Sequence, residues 1–351
     1  MTERPSFSTG RAQRREMLRL ALASAGLALL PAGLRAQDAP APALTLSGDI
    51  TPIHDPCIIR EDDAYYLFCT DAREVTGGHL LWRTSKDLTT WTRGGFVTPE
   101  VPAWALAMIP GARGIWAPDI SFVDGRYRLY YALSTFGSNR SAIGLFTNRT
   151  LDPAKPGHRW VDEGLVLASE RSDDFNAIDP NFLRDRDGGQ WLAFGSFWSG
   201  LKLRRLDPAT GKPSARDPKL YAIASRPAPP KAPGAIEAPF LIERGGYYYL
   251  FASYDYCCKG VASSYYMVVG RSRTVRGPYL GQDGGSMLDG LGTVVLQGAR
   301  RWRGPGHNAV LRDGDKDYLV YHAYDAEHDG ANTLRISPIR WTADGWPTVA
   351  G

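Results

Sequence analysis

Cysteine is scarce in this chain, which has four in 351 residues. That number is too small for a disulfide scaffold. Cys57 and Cys69 lie equally far from a turn at 62–64 and could face each other across a hairpin, although we expect two buried thiols. Cys257 and Cys258 are adjacent and lack C-x-x-C spacing, so zinc and thioredoxin chemistry are not indicated. A strained vicinal disulfide remains open there.

The chain also lacks any block of Lys and Arg, and its formal net charge is only +4, so nucleic acid is a poor partner. Helical periodicity is almost absent after residue 45. There is no G-x-S-x-G elbow, no phosphate-binding loop and no H-E-x-x-H pair. RDGDKD at 312–317 has hairpin-turn composition and lacks the distal Glu of a calcium loop.

Aromatic residues, glycine and proline are abundant by contrast. The chain has 17 Tyr, 12 Phe and 10 Trp beside 38 Gly and 25 Pro. This mixture favours many short strands joined by tight turns, in a protein large enough for a sizeable core.

The N-terminus differs from the rest. Arg14 and Arg15 precede a short apolar stretch broken by proline, then small residues near Ala36. This predicts an export signal over 1–36, with an arginine pair of the twin-arginine type, and a periplasmic or secreted protein. An uncleaved membrane anchor is the alternative. Residues 37–46 then form a short leader, and 47–351 a single domain.

One plan occurs five times along the chain: a polar residue, an apolar strand, a turn of Gly and Asp, and an aromatic strand. The stretches are HDPCIIREDDAYYLFCT, APDISFVDGRYRLYYALS, AIDPNFLRDRDGGQWLAFGSF, IEAPFLIERGGYYYLFASY and GHNAVLRDGDKDYLVYHAYD. Their polar residues, here called the anchors, are Asp55, Asp119, Asp179, Glu237 and His307, spaced 64, 60, 58 and 70 residues apart. Such a period is typical of one four-stranded blade, so the sequence predicts an all-β fold, a five-bladed β-propeller.

Five stretches between these hairpins alternate apolar residues and then turn. They are HLLWRTSKDLTTW, AIGLFTNRTLDPAKPGHRW, GLKLRRLDPATGKP, YYMVVGRSRTVRGPY and TLRISPIRWTADGWP. We predict that they supply the third and fourth strands of successive blades. The proline-rich segment 225–234 ends too close to an anchor to be a domain boundary, and we interpret it as a loop on the binding face.

Anchors at the starts of five innermost strands should converge at one end of the propeller axis. Carboxylates gathered there repel, which raises at least one pKa and separates an acid from a base, as glycoside cleavage requires. Acids on different blades should lie roughly 6.5 to 9.5 Å apart, the spacing of inverting enzymes. A single Asp-Pro is more often a structural turn, but Glu237 is a poor turn former with apolar neighbours that should raise its pKa.

From about residue 47 to the end, the chain resembles the arabinanases of glycoside hydrolase family 43. The matching stretches are HDPCI, WAPDI, NAIDPN, FGSFWSGLKL, IEAPF, GPGHN and GWP, and SYDYCC favours the arabinanase branch over the xylosidases. The resemblance implies a five-bladed propeller that cleaves α-1,5-linked L-arabinan with inversion.

The resemblance also implies roles for the anchors. Asp55 matches the general base that activates water, and Glu237 the general acid. Asp179 matches a third carboxylate that orients the acid and holds its pKa up. His307 matches a histidine near an axial ion, usually calcium, held largely by water. For Asp119 we expect a structural or supporting role.

Sugar contacts are predicted beside the anchors. The aromatic candidates for stacking on arabinose are Trp116, Phe136, and Phe197 or Trp198. The polar candidates for contacts with sugar hydroxyl groups are Asn176, Ser196 and His54. His322 is equally interpretable as a buried histidine or a site residue, while His79, His158 and His328 lack supporting context.

Three functions therefore remain open. The first is an exported, monomeric endo-arabinanase acting on arabinan, the side chains of pectin, with no membrane contact after signal removal. The second is an exo-acting arabinanase, an arabinofuranosidase or a xylosidase of the same fold. The third is a non-catalytic sugar-binding propeller, which predicts a missing carboxylate, and none is missing.

Overall fold

A computed structural model describes residues 41–71, 77–227 and 234–350. The predicted export signal, residues 37–40 of the leader and the centre of the 225–234 loop lie outside the described residues. Within the described part, no helix is long and apolar enough to cross a membrane.

The described residues form five mainly antiparallel sheets, which are numbered as blades in chain order. Blade 1 contains β1 (Ser47–Gly48), β2 (Cys57–Glu61), β3 (Ala64–Phe68), β4 (His79–Ser85) and β5 (Thr90–Thr98). The short helix α1 (Ala103–Met108) follows. Blade 2 contains β6 (Trp116–Val123), β7 (Arg126–Leu133), β8 (Ser141–Asn148) and β9 (Val161–Ser169). Blade 3 contains β10 (Asn181–Arg184), β11 (Gln190–Phe194), β12 (Leu201–Arg205) and β13 (Leu220–Ala224).

Blades 4 and 5 complete the fold. Blade 4 contains β14 (Ile236–Arg244), β15 (Tyr247–Tyr254), β16 (Tyr266–Ser272) and β17 (Thr293–Gln297). Blade 5 contains β18 (Trp302–Asp313), β19 (Lys316–Asp325), β20 (Ala331–Trp341) and β21 (Pro347–Thr348). Two 3₁₀ helices, Gly260–Ala262 and Met287–Asp289, lie in the loops of blade 4.

The first strands of the five blades form a closed ring. β2 contacts β6, β6 contacts β10, β10 contacts β14, β14 contacts β18, and β18 returns to β2. The other strands of each blade follow outward, and β1 adds to the outer edge of blade 1, parallel to β5. The predicted five-bladed propeller is therefore confirmed.

The core is divided in five, with one buried cluster between each pair of neighbouring blades. Tyr131 and Phe146 of blade 2, for example, belong to the cluster with Phe68 and Leu80 of blade 1. Alternation puts side chains on both faces of every sheet, and each face packs on the next blade. The aromatic second strands, such as β3 and β7, are buried almost throughout for this reason.

Two details of the prediction are wrong. In blades 2 to 4, the stretches predicted to hold the third and fourth strands contain only the third, because β9, β13 and β17 begin after them. Their fourth strands are partly exposed and show weak alternation. Cys57 pairs with Phe68 rather than with Cys69, so the two cysteines are not opposite each other. Both are buried free thiols, as expected.

The repeat in the sequence suggested that the five anchors occupy equivalent positions, but in the structure they do not. In each blade, one residue just before or within the innermost strand has a left-handed backbone: Asp55, Ala117, Asp179, Ala238 and His307, with φ between 43° and 56°. The ladders of blades 2, 4 and 5 shift register at this point. Glu237 therefore precedes the equivalent position by one residue, and Asp119 follows it by two.

Asp119 joins blade 2 to blade 3. Its carboxylate accepts hydrogen bonds from Asn181 Nδ2 at 3.0 Å and from the Phe182 amide at 2.8 Å. Burial raises the pKa of Asp119 to about 7, although both donors lower it. These contacts agree with the structural role expected for this anchor.

We expect Asp119→Ala to lower the free energy of unfolding by about 2–4 kcal/mol, because two donors would lose their buried acceptor. Urea denaturation at pH 7 measures this. Asp124→Ala is the matched control, since Asp124 links the same two blades through an exposed ion pair with Arg184, 2.7 Å long. It should cost less than about 1 kcal/mol. Equal losses would contradict the role given to Asp119.

Candidate active site

Four anchors lie together at the starts of the innermost strands. His307 Nδ1 is 2.9 Å from Asp55 Oδ1. The charges of Asp55, Asp179 and Glu237 all raise the pKa of His307, so the three acidic side chains act on one imidazole. The ring of blades thus brings together side chains that are separated by up to 252 positions in the sequence.

Asp55 is held as a carboxylate. Its Oδ1 lies 2.8 Å from His54 Nδ1, and its Oδ2 accepts a hydrogen bond from the Thr70 hydroxyl. Burial alone would raise the pKa of Asp55, but the charges of His307 and His54 hold it well below its usual range. The backbone amide of Asp55 donates to His322 Nδ1 at 3.1 Å, which ties blade 1 to blade 5.

His307 carries the complementary charge. Burial by itself lowers its pKa, but the charge and hydrogen bond of Asp55, with Asp179 and Glu237 nearby, raise the pKa to about 9. At neutral pH the pair is an imidazolium and a carboxylate. The His307 amide donates to Ser253 Oγ at 2.9 Å, so the anchor is also held by blade 4.

Asp179 is the anchor that retains a proton. Burial raises its pKa, His307 opposes this, and the charges of Glu237 and Asp55 raise it further, to about 8. Its Oδ2 accepts a hydrogen bond from the Ala238 amide at 3.1 Å, one residue after Glu237. Asp179 therefore holds the backbone beside Glu237. The charge repulsion expected of Asp179 would require its ionised form, above about pH 8.

Glu237 has polar rather than apolar neighbours at its carboxyl group. Ser196 Oγ donates to Oε2 at 2.8 Å, and Tyr265 OH donates to Oε1 at 2.6 Å. The apolar residues around it in sequence, Ile236 and Ala238, are buried on the strand. The two hydroxyl donors to Glu237 were not indicated by its apolar neighbours in the sequence.

Tyr265 was missed by the sequence prediction. It precedes β16 by one residue and is buried, and burial together with the Glu237 charge raises its pKa well above the usual range. It therefore stays a hydroxyl donor. Only the pairing of β14 with β15 and of β15 with β16 brings it beside Glu237, and no local motif marks it.

We expect Tyr265→Phe to lower kcat on a polysaccharide substrate about 10-fold with a small change in KM, because Glu237 loses a donor that fixes its rotamer. Tyr266→Phe is the matched control, since Tyr266 is its half-buried neighbour and packs against Tyr254. Equal effects of the two variants would contradict the contact with Glu237.

The predicted sugar-contacting residues fall into two groups. Trp116, Phe197 and Trp198 are half-buried, and Phe136 is 87% exposed in the loop after β7. Phe197 and Trp198 both have left-handed backbones, which direct this turn away from β11. These aromatic rings remain candidates for stacking.

The predicted polar contacts are used by the protein itself. Asn176 is buried and its Oδ1 accepts from Ser141 Oγ at 2.7 Å, so it braces its loop. Ser196 is buried and donates to Glu237, and His54 lies beside Asp55. His79, set aside in the sequence, pairs with Asp71 at 2.6 Å.

His322 combines both of its predicted roles, because it is fully buried and also contacts Asp55. Its ring stacks on His54 with centroids 3.8 Å apart. Burial first, then the neighbouring charge of His54, lowers the pKa of His322 well below its usual range. It therefore stays neutral, so that Nδ1 can accept from the Asp55 amide.

Cys257 and Cys258 form a disulfide, the alternative that the sequence left open. Cys258 Sγ lies 3.7 Å from His54 Nε2, and the Cys258 amide donates to Tyr324 OH at 2.8 Å. The pair therefore belongs to the surroundings of Asp55.

His307 is the expected contact of an axial calcium ion, and its surroundings fit only a hydrated ion. Calcium prefers six to eight oxygen ligands. Among the described residues, two groups of His, Cys, Asp or Glu have ligand atoms within 4.8 Å of one another, and neither contains His307. Because His307 Nδ1 is bonded to Asp55, only Nε2 is left for an ion.

The site can therefore perform acid and base chemistry. Asp55 is ionised and can accept a proton from water, while Glu237 lies on a different blade with its rotamer fixed by two hydroxyls. Two carboxyl groups in different surroundings, brought together by a propeller, are the arrangement that glycoside hydrolases use, and they place this protein in that class.

The chain belongs to glycosyl hydrolases family 43, whose sequence model matches residues 50–347. It is 43% identical over 313 residues to the extracellular endo-α-(1→5)-L-arabinanase 1 of Bacillus subtilis (strain 168), covering 88% of this chain and 91% of that protein.

Two solved structures are similar across the domain. One is an exo-1,5-α-L-arabinanase from a bovine ruminal metagenomic library, with a TM-score of 0.81, 41% identity, and coverage of 88% of this chain and 99% of that one. The other is a Cellvibrio cellulosa α-L-arabinanase complexed with arabinohexaose, with a TM-score of 0.81, 40% identity, and coverage of 86% and 96%.

Proposed function

We propose that this protein is an endo-acting α-1,5-L-arabinanase that hydrolyses arabinan with inversion. The observation that carries the proposal is the Asp55–His307 pair, 2.9 Å apart, together with a Glu237 carboxyl group held by Ser196 and Tyr265 on another blade of a family 43 propeller. The similarity of this chain to an endo-arabinanase, and to an arabinanase whose structure contains arabinohexaose, supports the substrate class.

In the proposed reaction, Asp55 takes a proton from the attacking water and Glu237 gives one to the leaving oxygen. The two histidines beside Asp55 keep it ionised in the free enzyme. Ser196 and Tyr265 fix the orientation of Glu237, and Asp179 holds the backbone next to it. The aromatic residues Trp116, Phe136 and Phe197 stack on arabinose units.

Exo action is the second candidate, because a similar structure is that of an exo-1,5-α-L-arabinanase. The test is a time course of products from linear arabinan, with linear xylan as the control polymer. Mixed oligosaccharides at the first time points support endo action, and one small product supports exo action. Binding of arabinan without hydrolysis would indicate a sugar-binding propeller, and cleavage of xylan alone would overturn the substrate class.

We also propose that a hydrated calcium ion binds next to His307, through waters shared with the carboxylates and through Nε2, which would have to release the proton that it carries in the metal-free imidazolium. When bound, the ion supplies positive charge at the centre of the site. Treatment with a chelator should lower the melting temperature by a few degrees, and added calcium, but not sodium, should restore it. A melting temperature that is the same with chelator and with calcium would contradict this site.

The protein is proposed to be exported, as a periplasmic or secreted monomer that acts on the arabinan side chains of pectin. The predicted signal over 1–36 and the similarity to an extracellular arabinanase support export. Fractionation of the producing cells separates the two locations, and light scattering measures the oligomeric state.

A further inference from the structure

A continuous series of contacts runs from the Cys257–Cys258 disulfide to Asp55. The Cys258 amide donates to Tyr324 OH at 2.8 Å, and Tyr324 OH lies 2.8 Å from His54 Nε2. His54 Nδ1 in turn lies 2.8 Å from Asp55 Oδ1. The sulfur of Cys258 also contacts His54 directly, at 3.7 Å. The disulfide thus lies behind the ring that holds the anchor of blade 1.

The disulfide belongs to a different blade from the residues that it contacts. It lies in the loop between β15 and β16 of blade 4, whereas Tyr324 is in blade 5 and His54 is in blade 1. The loop is anchored at its base, where the Asp255 amide donates to the Ala235 carbonyl at 3.1 Å and Arg226 pairs with the Asp255 carboxylate. The contacts of Cys258 therefore depend on the conformation at the far end of this loop.

That conformation is unfavourable for an ordinary residue. Cys258 has a left-handed backbone, with φ at 66°, and such positions persist only where the surrounding structure enforces them. A bond between adjacent sulfurs closes a small ring around the intervening peptide and restricts both residues. Cys258 is also exposed, so apolar packing does not supply the restraint.

We propose that the Cys257–Cys258 disulfide is a positioning element for catalysis, which holds Tyr324 and His54 so that Asp55 keeps its orientation towards the attacking water. This inference rests on the role proposed for Asp55 as the base. The disulfide acts through Tyr324 and His54 and need not touch the sugar. Its loss should lower kcat about 10-fold and leave KM within about two-fold, because misplacement of a base affects the chemical step.

The test compares oxidised wild type with wild type reduced by a water-soluble phosphine, which becomes the phosphine oxide while water supplies the two thiol protons. Cys57 and Cys69 are already thiols, so reduction changes only this pair. The double variant C257S/C258S should show the same loss of kcat and should not respond to phosphine. In C257S/C258G, glycine adopts the left-handed conformation without strain and should recover part of the activity.

Two further readouts separate positioning of Asp55 from other roles. On an aryl α-1,5-arabino-oligosaccharide with a good leaving group, the loss should persist, because water attack still needs the base whereas the acid becomes dispensable. Tyr324→Phe should lower kcat similarly and add little in the C257S/C258S background, since both changes break one series of contacts.

The outcomes are distinct. Hydrolysis by the oxidised wild type establishes the proposed function independently of the disulfide, and its absence removes that function. Reduced or substituted enzyme with kcat unchanged would overturn the inference, as would a loss confined to KM. Unfolding at the assay temperature, detected by circular dichroism, would assign the disulfide to stability alone and also overturn it.

Discussion

Glu237→Ala should lower kcat on linear arabinan about 10³-fold, whereas turnover of an aryl arabino-oligosaccharide with a good leaving group should stay within about 10-fold of wild type. A positioned acid contributes about 10²–10⁴-fold when the leaving oxygen is a poor leaving group, and almost nothing when it leaves readily. Initial rates on both substrates, each with a KM determination, measure this difference.

Glu243→Ala is the matched control for this experiment. Glu243 is in the same strand, β14, at the end away from the site, where it pairs with Arg186 at 3.7 Å. Its replacement should leave both rates unchanged within about two-fold. Equal losses of Glu237→Ala on the two substrates would show that Glu237 does not act as the proton donor.

Asp55→Asn should lower kcat by about 10³–10⁴-fold on both substrates, because the attacking water needs a base regardless of the leaving group. The amide keeps the shape of the side chain but cannot accept the proton. Asp63→Asn, on the exposed turn between β2 and β3, is the control and should retain full activity. Retention of activity on the aryl substrate would contradict the role of Asp55.

The same variant should alter the titration of His307. The folded pKa of about 9 lies above the usual value, so the pair with Asp55 contributes stability that is present below about pH 6.5 and lost as pH rises through 9. Because the pKa of Asp55 is lowered, its ionised form also contributes stability, which is lost as the pH falls through that lowered pKa. In Asp55→Asn, NMR titration should find a lower pKa for His307, and the stability difference should shrink above pH 9.

The grouping of four anchors was predictable from the sequence, but their surroundings were not. Asp55, Asp179, Glu237 and His307 were found from polar residues at the starts of repeated strands, and the structure brings them together. Tyr265 carries no such signal, because its contact with Glu237 depends on pairing across three strands. Thr70 was also missed, although it reaches Asp55 from the other arm of the same β2–β3 hairpin.

The sequence by itself determined the number of blades, since alternation and turn chemistry act over a few residues and are repeated five times. Only the tertiary structure decided which anchors are equivalent, because Asp119 and Glu237 lie beside the left-handed residues and register shifts of blades 2 and 4 and not at the equivalent position. It also decided that Asp119 joins two blades, and that the disulfide of blade 4 lies behind the histidine of blade 1. Contacts between blades depend on how whole sheets pack, and no local pattern of residues encodes that.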